Sequence, residues 1–507
     1  MKIFISYPAL ISEKGTPLLG QNRQFQWFNS PTYIYPVIPA YLATLLKKNG
    51  EDVVWDDGIA EGLGYGEWRE RLSKARPDII VIETKTPVVK HHWRIINELK
   101  EKADWPLKIV LVGDHVTAEP EESLRYSKVD YVLAGGDYDF GVANLVKFLQ
   151  GQEELEPGWH SRSGGQWDEK GKNEEINWTG GEFKGGEFKN SGSRQDYHQH
   201  DLNTLPEIDR ELTMWRMYAY KNGNFKYTPG TYMMSGRDCW WGRCTFCSWT
   251  TLFPGNNFRT RSAQLALDEV GHLIDLGVKE IMEDSGSLPI GDWLEEFCTG
   301  MIERGYNKKV TMSCNMRITG IRDPETWKLM KKAGFRFILF GLESANQKTL
   351  DEINKNLKVE EIEPGLKMCK EAGLEPHITA MIGYPWETRE EALKTVDLAK
   401  DLFKKGYVDT LQATVLIPYP GTPLYASCWA NDLLNFNDYD RFDQREQVMK
   451  CELTTAEVKE MTQGLYKSFM TPQFIAHKIL SIRNLDDVKF LWRAGLKVLG
   501  HLMDFKK

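Results

Sequence analysis

Apolar residues in the first 150 positions cluster in short β-branched runs separated by amphipathic stretches. Runs at 2–6, 52–55, 79–83, 109–112 and 131–133 read as strands, with helical periodicity at 39–49, 89–102 and 140–149. Apolar strands alternating with helices predict an α/β unit with a parallel sheet covered on both faces. The alternation returns from about residue 231, with strand signals at 231–235, 280–283, 310–313, 335–341, 376–382 and 410–416. Helical patterns fill 262–276, 291–304, 323–333, 359–372 and 388–405. Six strands so connected predict a partial (β/α)6 barrel with its functional residues just after the strands. Residues 151–200 are rich in Gly, Lys, Glu, Ser and Asn, with GGEFKGGEFK as a tandem echo, and predict a mobile hairpin or loop. The expected layout is a Rossmann-like unit at 1–150, a polar insert and linker at 151–225, the barrel at 226–430 and a helical region at 431–507.

Composition narrows the class. A chain of 507 residues exceeds one core and suggests about three units. The charge sum, 64 − 72 = −8, gives no electrostatic reason to expect nucleic acid as a partner. The start, MKIFISYPAL, reads as a first strand and not as a signal peptide. Eight cysteines are too sparse for a disulfide scaffold, so a reducing cytoplasm is expected. In DYHQHD, His198 and His200 form a His-x-His pair, read as an exposed linker pair in preference to a metal site. In the tail, Lys489, Arg493 and Lys497 recur beside Phe490, Leu491, Ala494, Val498 and Leu502. The favoured reading is a terminal helix docked on the barrel; the alternative is peripheral contact with a membrane surface.

The chemistry concentrates in one loop. Cys239, Cys244 and Cys247 fall within SGRDCWWGRCTFCSW, directly after the first barrel strand. Three thiolates can ligate three irons of a 4Fe–4S cluster and leave one iron open. Taken literally, C-x4-C-x2-C also begins a plant-type 2Fe–2S pattern, which needs a fourth cysteine, and the next, Cys298, lies far downstream. A zinc site would need a fourth ligand too, and no His follows at zinc-finger spacing. In the N-terminal unit, ligands are expected at the carboxyl ends of the strands, around Pro8, Thr84, Thr86, Gly113, His115, Gly135 and Gly136. No G-x-G-x-x-G or G-x-x-x-x-G-K-[ST] is present, which weakens a nucleotide reading there.

The phrases PVIPAYLATLLKKNGEDVVWDDG, VGDHVTAEPEE and VDYVLAGGDYDF resemble the cobalamin-binding domain that precedes the barrel in many radical S-adenosylmethionine (SAM) enzymes. The cysteine loop resembles that superfamily's C-x3-C-x2-C motif, with one extra residue in the first spacer. IMEDSGS, MSCNMR, FGLESAN, AMIGYPWET and IPYPGTPLY match family phrases at successive strand ends. The resemblance implies a 4Fe–4S cluster on Cys239, Cys244 and Cys247, SAM on the open iron, and cobalamin held by the N-terminal loops. It places Phe246 near the adenine, Glu283 and Asp284 at the SAM ammonium, Arg317 at the SAM carboxylate, Glu343 as a hydrogen-bond partner of SAM, and Ile382 among the cofactor-binding residues. His115, the nearest candidate to a cobalt-binding histidine, lacks the D-x-H-x-x-G context, so cobalt without a protein histidine is expected.

The activity so implied is SAM cleavage to a 5′-deoxyadenosyl radical and methylation of an unactivated carbon of an organic substrate, fed by an external flavodoxin- or ferredoxin-like electron donor. The alternatives are a ring-forming or carbon-joining enzyme with the same cofactors, and a corrinoid-binding or electron-carrying protein without turnover.

Overall fold

A computed structural model describes residues 1–10, 12–19, 25–29, 31–192, 200–253, 258–467 and 472–480, together with 482, 488, 491 and 495. Lys489, Arg493 and Lys497 of the tail, and His198, lie outside the described residues.

The N-terminal sheet starts with β1 (Lys2–Tyr7), β2 (Asp52–Asp57), β3 (Ile79–Glu83), β4 (Lys108–Val112) and β5 (Tyr131–Leu133). These five pair in parallel in the order β5-β4-β3-β1-β2, so the strand order reverses between β1 and β3. Helices α1 (Val37–Lys48), α2 (Tyr65–Ala75), α3 (Val89–Lys102), α4 (Asp114–Ala118), α5 (Pro120–Tyr126) and α6 (Tyr138–Leu149) link the strands. The runs in β3 and β4 are fully apolar apart from their ends because both faces are covered.

The polar insert departs from expectation. Its echo forms strand β7 (Glu182–Asn190) of a hairpin with β6 (Trp159–Asp168), and β6 pairs antiparallel with β5. The insert therefore extends the N-terminal sheet to seven strands as its edge, instead of hanging as a mobile loop. Its few large aromatic residues do the packing: Trp159 and Trp178 are buried, and the Arg162 guanidinium lies 5.3 Å from the Phe183 ring centre. The rest faces water, which explains the polar composition.

The second sheet is β8 (Gly230–Met233), β9 (Glu280–Glu283), β10 (Thr311–Met316), β11 (Phe335–Glu343), β12 (Glu375–Ile382) and β13 (Thr410–Val415). All six are parallel and neighbour one another in chain order, an open half-barrel. A short turn, α7 (Trp249–Leu252), follows the cysteine loop. The connecting helices are α8 (Ala263–Asp275), α9 (Asp292–Glu303), α10 (Pro324–Lys332), α11 (Gln347–Glu352), α12 (Val359–Glu371) and α13 (Arg389–Lys405). Sequence cues set their ends: Asp323 caps α10 by accepting from Glu325 N and Thr326 N, and Thr388 with Glu391 forms a capping box on α13.

After α14 (Pro423–Ala430), α15 (Thr455–Lys467) packs on the edge strand β13, where Tyr466 Oη donates to Ala413 O at 2.9 Å. That contact covers an edge that would otherwise be open to pairing. One continuous apolar core runs from Ile3 through α1 and the linker to the barrel, so the two sheets share packing.

At the amino end of the barrel, Arg336 is buried and forks to Glu280 and Glu375, while Glu280 also accepts from Lys226 N and Tyr227 N. Arg336→Met would strand Glu280 in the interior; a loss of about 3–5 kcal/mol is expected by denaturant unfolding.

Candidate active site

Past β8 the chain forms a two-residue antiparallel ladder, Gly236–Arg237 against Arg259–Thr260, from which the cysteine loop hangs. Asp238 enters the loop in the left-handed region at φ 73°, and its Oδ1 accepts from Cys239 N at 2.6 Å. Cys239, Cys244 and Cys247 are free, half-buried thiols. The loop passes close over the end of β9: a Cβ on Gly286 would lie 3.0 Å from both Asp238 O and Cys239 Cβ. Glycine in DSGS is thus required by a close approach.

The loop rests on the segment 353–356. Thr245 N donates to Ile353 O at 3.0 Å, Trp241 Nε1 to Asn354 O at 2.7 Å, and Asn354 Nδ2 to Arg243 O at 3.1 Å. Arg317 stands over the rings of Trp240 and Trp241, at 5.4 and 4.8 Å, and donates to Lys355 O and Asn356 O. Both tryptophans of the C-x4-C spacer thus pack on one guanidinium.

Two poles of charge flank the loop. On the acidic side, Glu283 is buried at the end of β9; its Oε1 accepts from Ser235 N at 2.7 Å and Ser285 Oγ at 2.6 Å, while Oε2 has no hydrogen-bond partner among the described residues. Burial, only partly offset by these bonds, pushes its carboxyl up to about 7. Asp284 is buried beside it, with its Oδ1 3.3 Å from Asn315 Nδ2. Burial also raises Asp238 to about 7.

The basic side is Arg317 with Lys355. Lys355 Nζ donates to Glu343 Oε1 at 2.7 Å, and Glu343 Oε2 accepts from Thr379 Oγ1 at 3.2 Å. Glu343 sits at φ 68°, where the β11–β12 register shifts. A non-glycine residue in that region at a strand end is a strained position of the kind found at functional sites. A Cβ on Gly341 would lie 2.2 Å from Glu343 Oε1 and 2.4 Å from Lys355 Nζ, so the ion pair occupies the space that a side chain would need. Burial raises the Cys244 thiol, and the Lys355 and Arg317 charges oppose that rise; Cys247 is raised further, again by burial.

Among the described residues, no three His, Cys, Asp or Glu side chains share one ion position. A cubane offers a separate iron to each thiolate and needs no such convergence. Half-buried thiols flanked by two cations fit an anionic cluster of that kind.

The structure brings most sequence-derived candidates to this mouth. Ile382 is the buried last residue of β12, and Phe246 packs against the main core from the loop itself. Arg317 is nearby, but its guanidinium is engaged with backbone carbonyls and indole rings. Lys355 and Tyr384 were not foreseen. Tyr384 is buried two residues beyond Ile382, and its hydroxyl has no hydrogen-bond partner among the described residues. The phrase GYPWET contained it, whereas nothing in NKNLK marks Lys355 as buried.

At the N-terminal strand ends, Pro8, Thr84, Thr86, His115, Gly135 and Gly136 are all buried. Gly113, at φ 117°, is needed for an internal approach, since its Cβ would lie 2.3 Å from Thr84 O. Thr84 Oγ1 bonds His92 Nδ1 at 2.8 Å, and Thr86 Oγ1 bonds His115 Nδ1 at 3.1 Å. His115 Nε2 lies 3.3 Å from Glu122, with the ring against Tyr439. Nδ1 is bonded to Thr86, whereas Nε2 has no hydrogen-bond partner among the described residues. At the β1/β3 switch point, Glu83 accepts from Tyr7 Oη and, at 3.0 Å, from Tyr138 Oη. A cavity of about 280 Å³ lies between α4, the hairpin and the barrel, lined by Thr117, Ala134, His160, Asn190 and Gly421 among others. His200 is not an exposed linker residue: it stacks on Phe140 and pairs with Asp137 and Glu156.

Three mouth-lining thiols on a parallel half-barrel define a class. Residues 233–399 match the profile of the Radical SAM superfamily; the chain carries a radical SAM domain and is a radical SAM enzyme, whose chemistry uses a 4Fe–4S cluster and SAM.

Over most of its length the chain is similar to an uncharacterised methyltransferase from Pyrococcus horikoshii, 26% identical over 86% of this chain and 87% of that one. It is 25% identical to the anaerobic magnesium-protoporphyrin IX monomethyl ester cyclase of Cereibacter sphaeroides, over 87% of this chain and 68% of that one. Its fold is similar to that of OxsB, a cobalamin-dependent SAM radical enzyme, with a TM-score of 0.67 and 14% identity over 99% of this chain and 71% of that one.

Gly341→Ala would force the Glu343–Lys355 pair apart. A loss of about 1–3 kcal/mol, the penalty of leaving a buried polar group unsatisfied, is expected in denaturant unfolding.

Proposed function

We propose that this chain is a cobalamin-dependent radical SAM methyltransferase acting on an unactivated carbon. The observation that carries the reading is the pairing of a three-thiol loop with two opposite charge poles at one barrel mouth, facing a Rossmann-like sheet. Methyltransferase-named and cyclase-named relatives and the fold shared with OxsB support it.

Cys239, Cys244 and Cys247 would hold the cluster. The amino-acid end of SAM is a zwitterion, and the site offers a match for each charge. Glu283 Oε2 and Asp284 would take the ammonium, and Lys355, with Tyr384 as a further donor, would take the carboxylate. Arg317 would brace the loop and add positive charge at Cys244. Phe246 and Ile382 would exclude water along the nucleoside, and Glu343 would hold Lys355 in place. When bound, cluster and SAM supply a 5′-deoxyadenosyl radical, and cobalamin supplies the methyl group.

For cobalamin, the reading is a corrinoid without a protein histidine on cobalt, because His115 lacks the D-x-H-x-x-G context. The loops at Pro8, Thr84, Thr86, Gly113, Gly135 and Gly136 would hold it, in an N-terminal domain that the hairpin extends beyond the expected 1–150. The cavity between α4 and the hairpin would take one arm of the molecule; it is smaller than a whole macrocycle. The electron would come from an external flavodoxin- or ferredoxin-like protein in the cytoplasm.

The cyclase-named relatives keep a second reading open, ring formation with the same cofactors. SAM labelled in its methyl group decides between them. Incubated with reductant, cobalamin and a candidate substrate such as a tetrapyrrole, the enzyme is expected to form 5′-deoxyadenosine and labelled product. Unlabelled cyclised product would favour the cyclase, and absence of 5′-deoxyadenosine from cluster-loaded protein would defeat both.

The Glu283 role has a pH signature. With the free carboxyl at about 7, an incoming ammonium meets a protonated partner at lower pH and a carboxylate at higher pH. SAM affinity is expected to weaken up to about tenfold per pH unit below 7 and to level off above 8. Calorimetry on Glu283→Gln should show weaker binding with that pH dependence removed.

A further inference from the structure

Both ends of the cysteine loop are fastened to a single turn of the N-terminal domain. On the entering side, Arg237 lies two residues before Cys239. Its Nη1 donates to Asp137 Oδ1 and Asp139 Oδ1, each at 2.8 Å, and its Nη2 to Asp139 Oδ2. On the leaving side, Gly136 N donates to Leu252 O at 3.0 Å. The Phe253 ring sits so near that a Cβ on Gly136 would lie 2.3 Å from it. Arg259, the ladder partner of Arg237, also forks to Asp137, at 2.6 and 2.9 Å.

The charges balance. Arg237, Arg259 and His200 face Asp137, Asp139 and Glu156. The pairs with Asp137 and Glu156 outweigh burial and push His200 up to about 9, so it is cationic at neutral pH. Arg237, Asp137 and Asp139 are each no more than 2% exposed. Phe140 stacks on His200 at 4.3 Å, with Arg237 5.7 Å from its ring centre.

A buried ion pair of this kind contributes little net stability beyond what a well-packed apolar pair would give. What the guanidinium fork adds is direction: it fixes the angle and depth at which the chain enters the loop. The loop itself has little regular structure to set those quantities.

We propose that the turn at 135–140 is a positioning bracket for the cysteine loop, with Arg237, Asp137 and Asp139 as positioning residues that set where Cys239 stands relative to Cys244 and Cys247. The inference rests on the reading that these cysteines hold the cluster. It further makes the N-terminal ligand loop and the cluster loop one mechanical unit.

Two variants test it. Arg237→Lys keeps the charge but, as a point donor, loses the fork. Arg237→Met combined with Asp139→Leu removes both charges at similar volume, leaving Asp137 to Arg259 and His200. Thermal unfolding, iron content after anaerobic reconstitution, and low-temperature electron paramagnetic resonance of the dithionite-reduced protein with and without SAM are read on each.

The expected result is folded protein with melting temperatures near wild type, at least a twofold loss of bound iron, and an altered resonance signal with a diminished response to SAM. Arg237→Lys should lie between wild type and the double variant. Wild-type iron and an unchanged SAM response in the double variant would overturn the proposal. Global unfolding of both variants would overturn it equally, because the fork would then hold the fold and not the loop. Wild-type protein that takes up no iron would instead defeat the assignment of the cysteines.

Discussion

A loop with almost no regular hydrogen bonding of its own carries three thiols that must stand at fixed separations, and that requirement constrains everything around it. An unstructured loop can be held in shape only by its surroundings. Here they are unusually complete: Gly286 lets it lie against the end of β9, the carbonyls of 353–356 accept its donors, and Arg317 fills the gap under its two tryptophans. Each contact comes from a different connection of the half-barrel: Gly286 after β9, Arg317 after β10, and 353–356 between α11 and α12. The parallel sheet is what brings those connections together.

The same constraint explains two glycines and one strained residue. Gly341 and Gly286 are demanded by close approaches, one of an ion pair and the other of the loop backbone. Glu343 accepts a left-handed backbone so that its carboxylate turns back onto Lys355. Strain of this order, about 1–3 kcal/mol, persists only where neighbours over-determine the conformation, as Lys355 and Thr379 do here.

Most barrel and parallel-strand positions were legible because apolar runs report local physics: β3, β5 and β9 coincide with their expected bounds and the other parallel strands shift by one to three residues, whereas α2, α4, α5 and α11 were not foreseen. The cysteine loop stood out in the sequence because three thiols crowd into nine residues of a chain too poor in cysteine for a disulfide scaffold. A hairpin was one of the two expected forms, but its docking on the sheet was missed, because its core contribution rests on a few aromatic residues such as Trp159 and Phe183 among polar ones. Lys355 was hidden for a different reason. Sequence patterns place a lysine on the surface by default, and only the three-dimensional return of 353–356 to the loop buries it beside Glu343. His200 was misjudged likewise, because Asp137, its partner, lies 63 positions away.

The two charge poles carry a consequence for how the site is loaded. With Glu343 bound to Lys355, the basic pole is nearly neutralised internally except for Arg317, whose charge faces Cys244. Protonated thiols would leave that positive charge unbalanced in a buried setting, whereas thiolates bound to an anionic cluster offset it. A cluster on Cys244, as proposed, would offset the Arg317 charge and leave Lys355 as the cation for an incoming carboxylate. At the acidic side, Glu283 near its midpoint at neutral pH is free to ionise when an ammonium arrives. Under the proposed assignments the cluster would come first and SAM second, its ammonium meeting Glu283 and its carboxylate sharing Lys355 with Glu343.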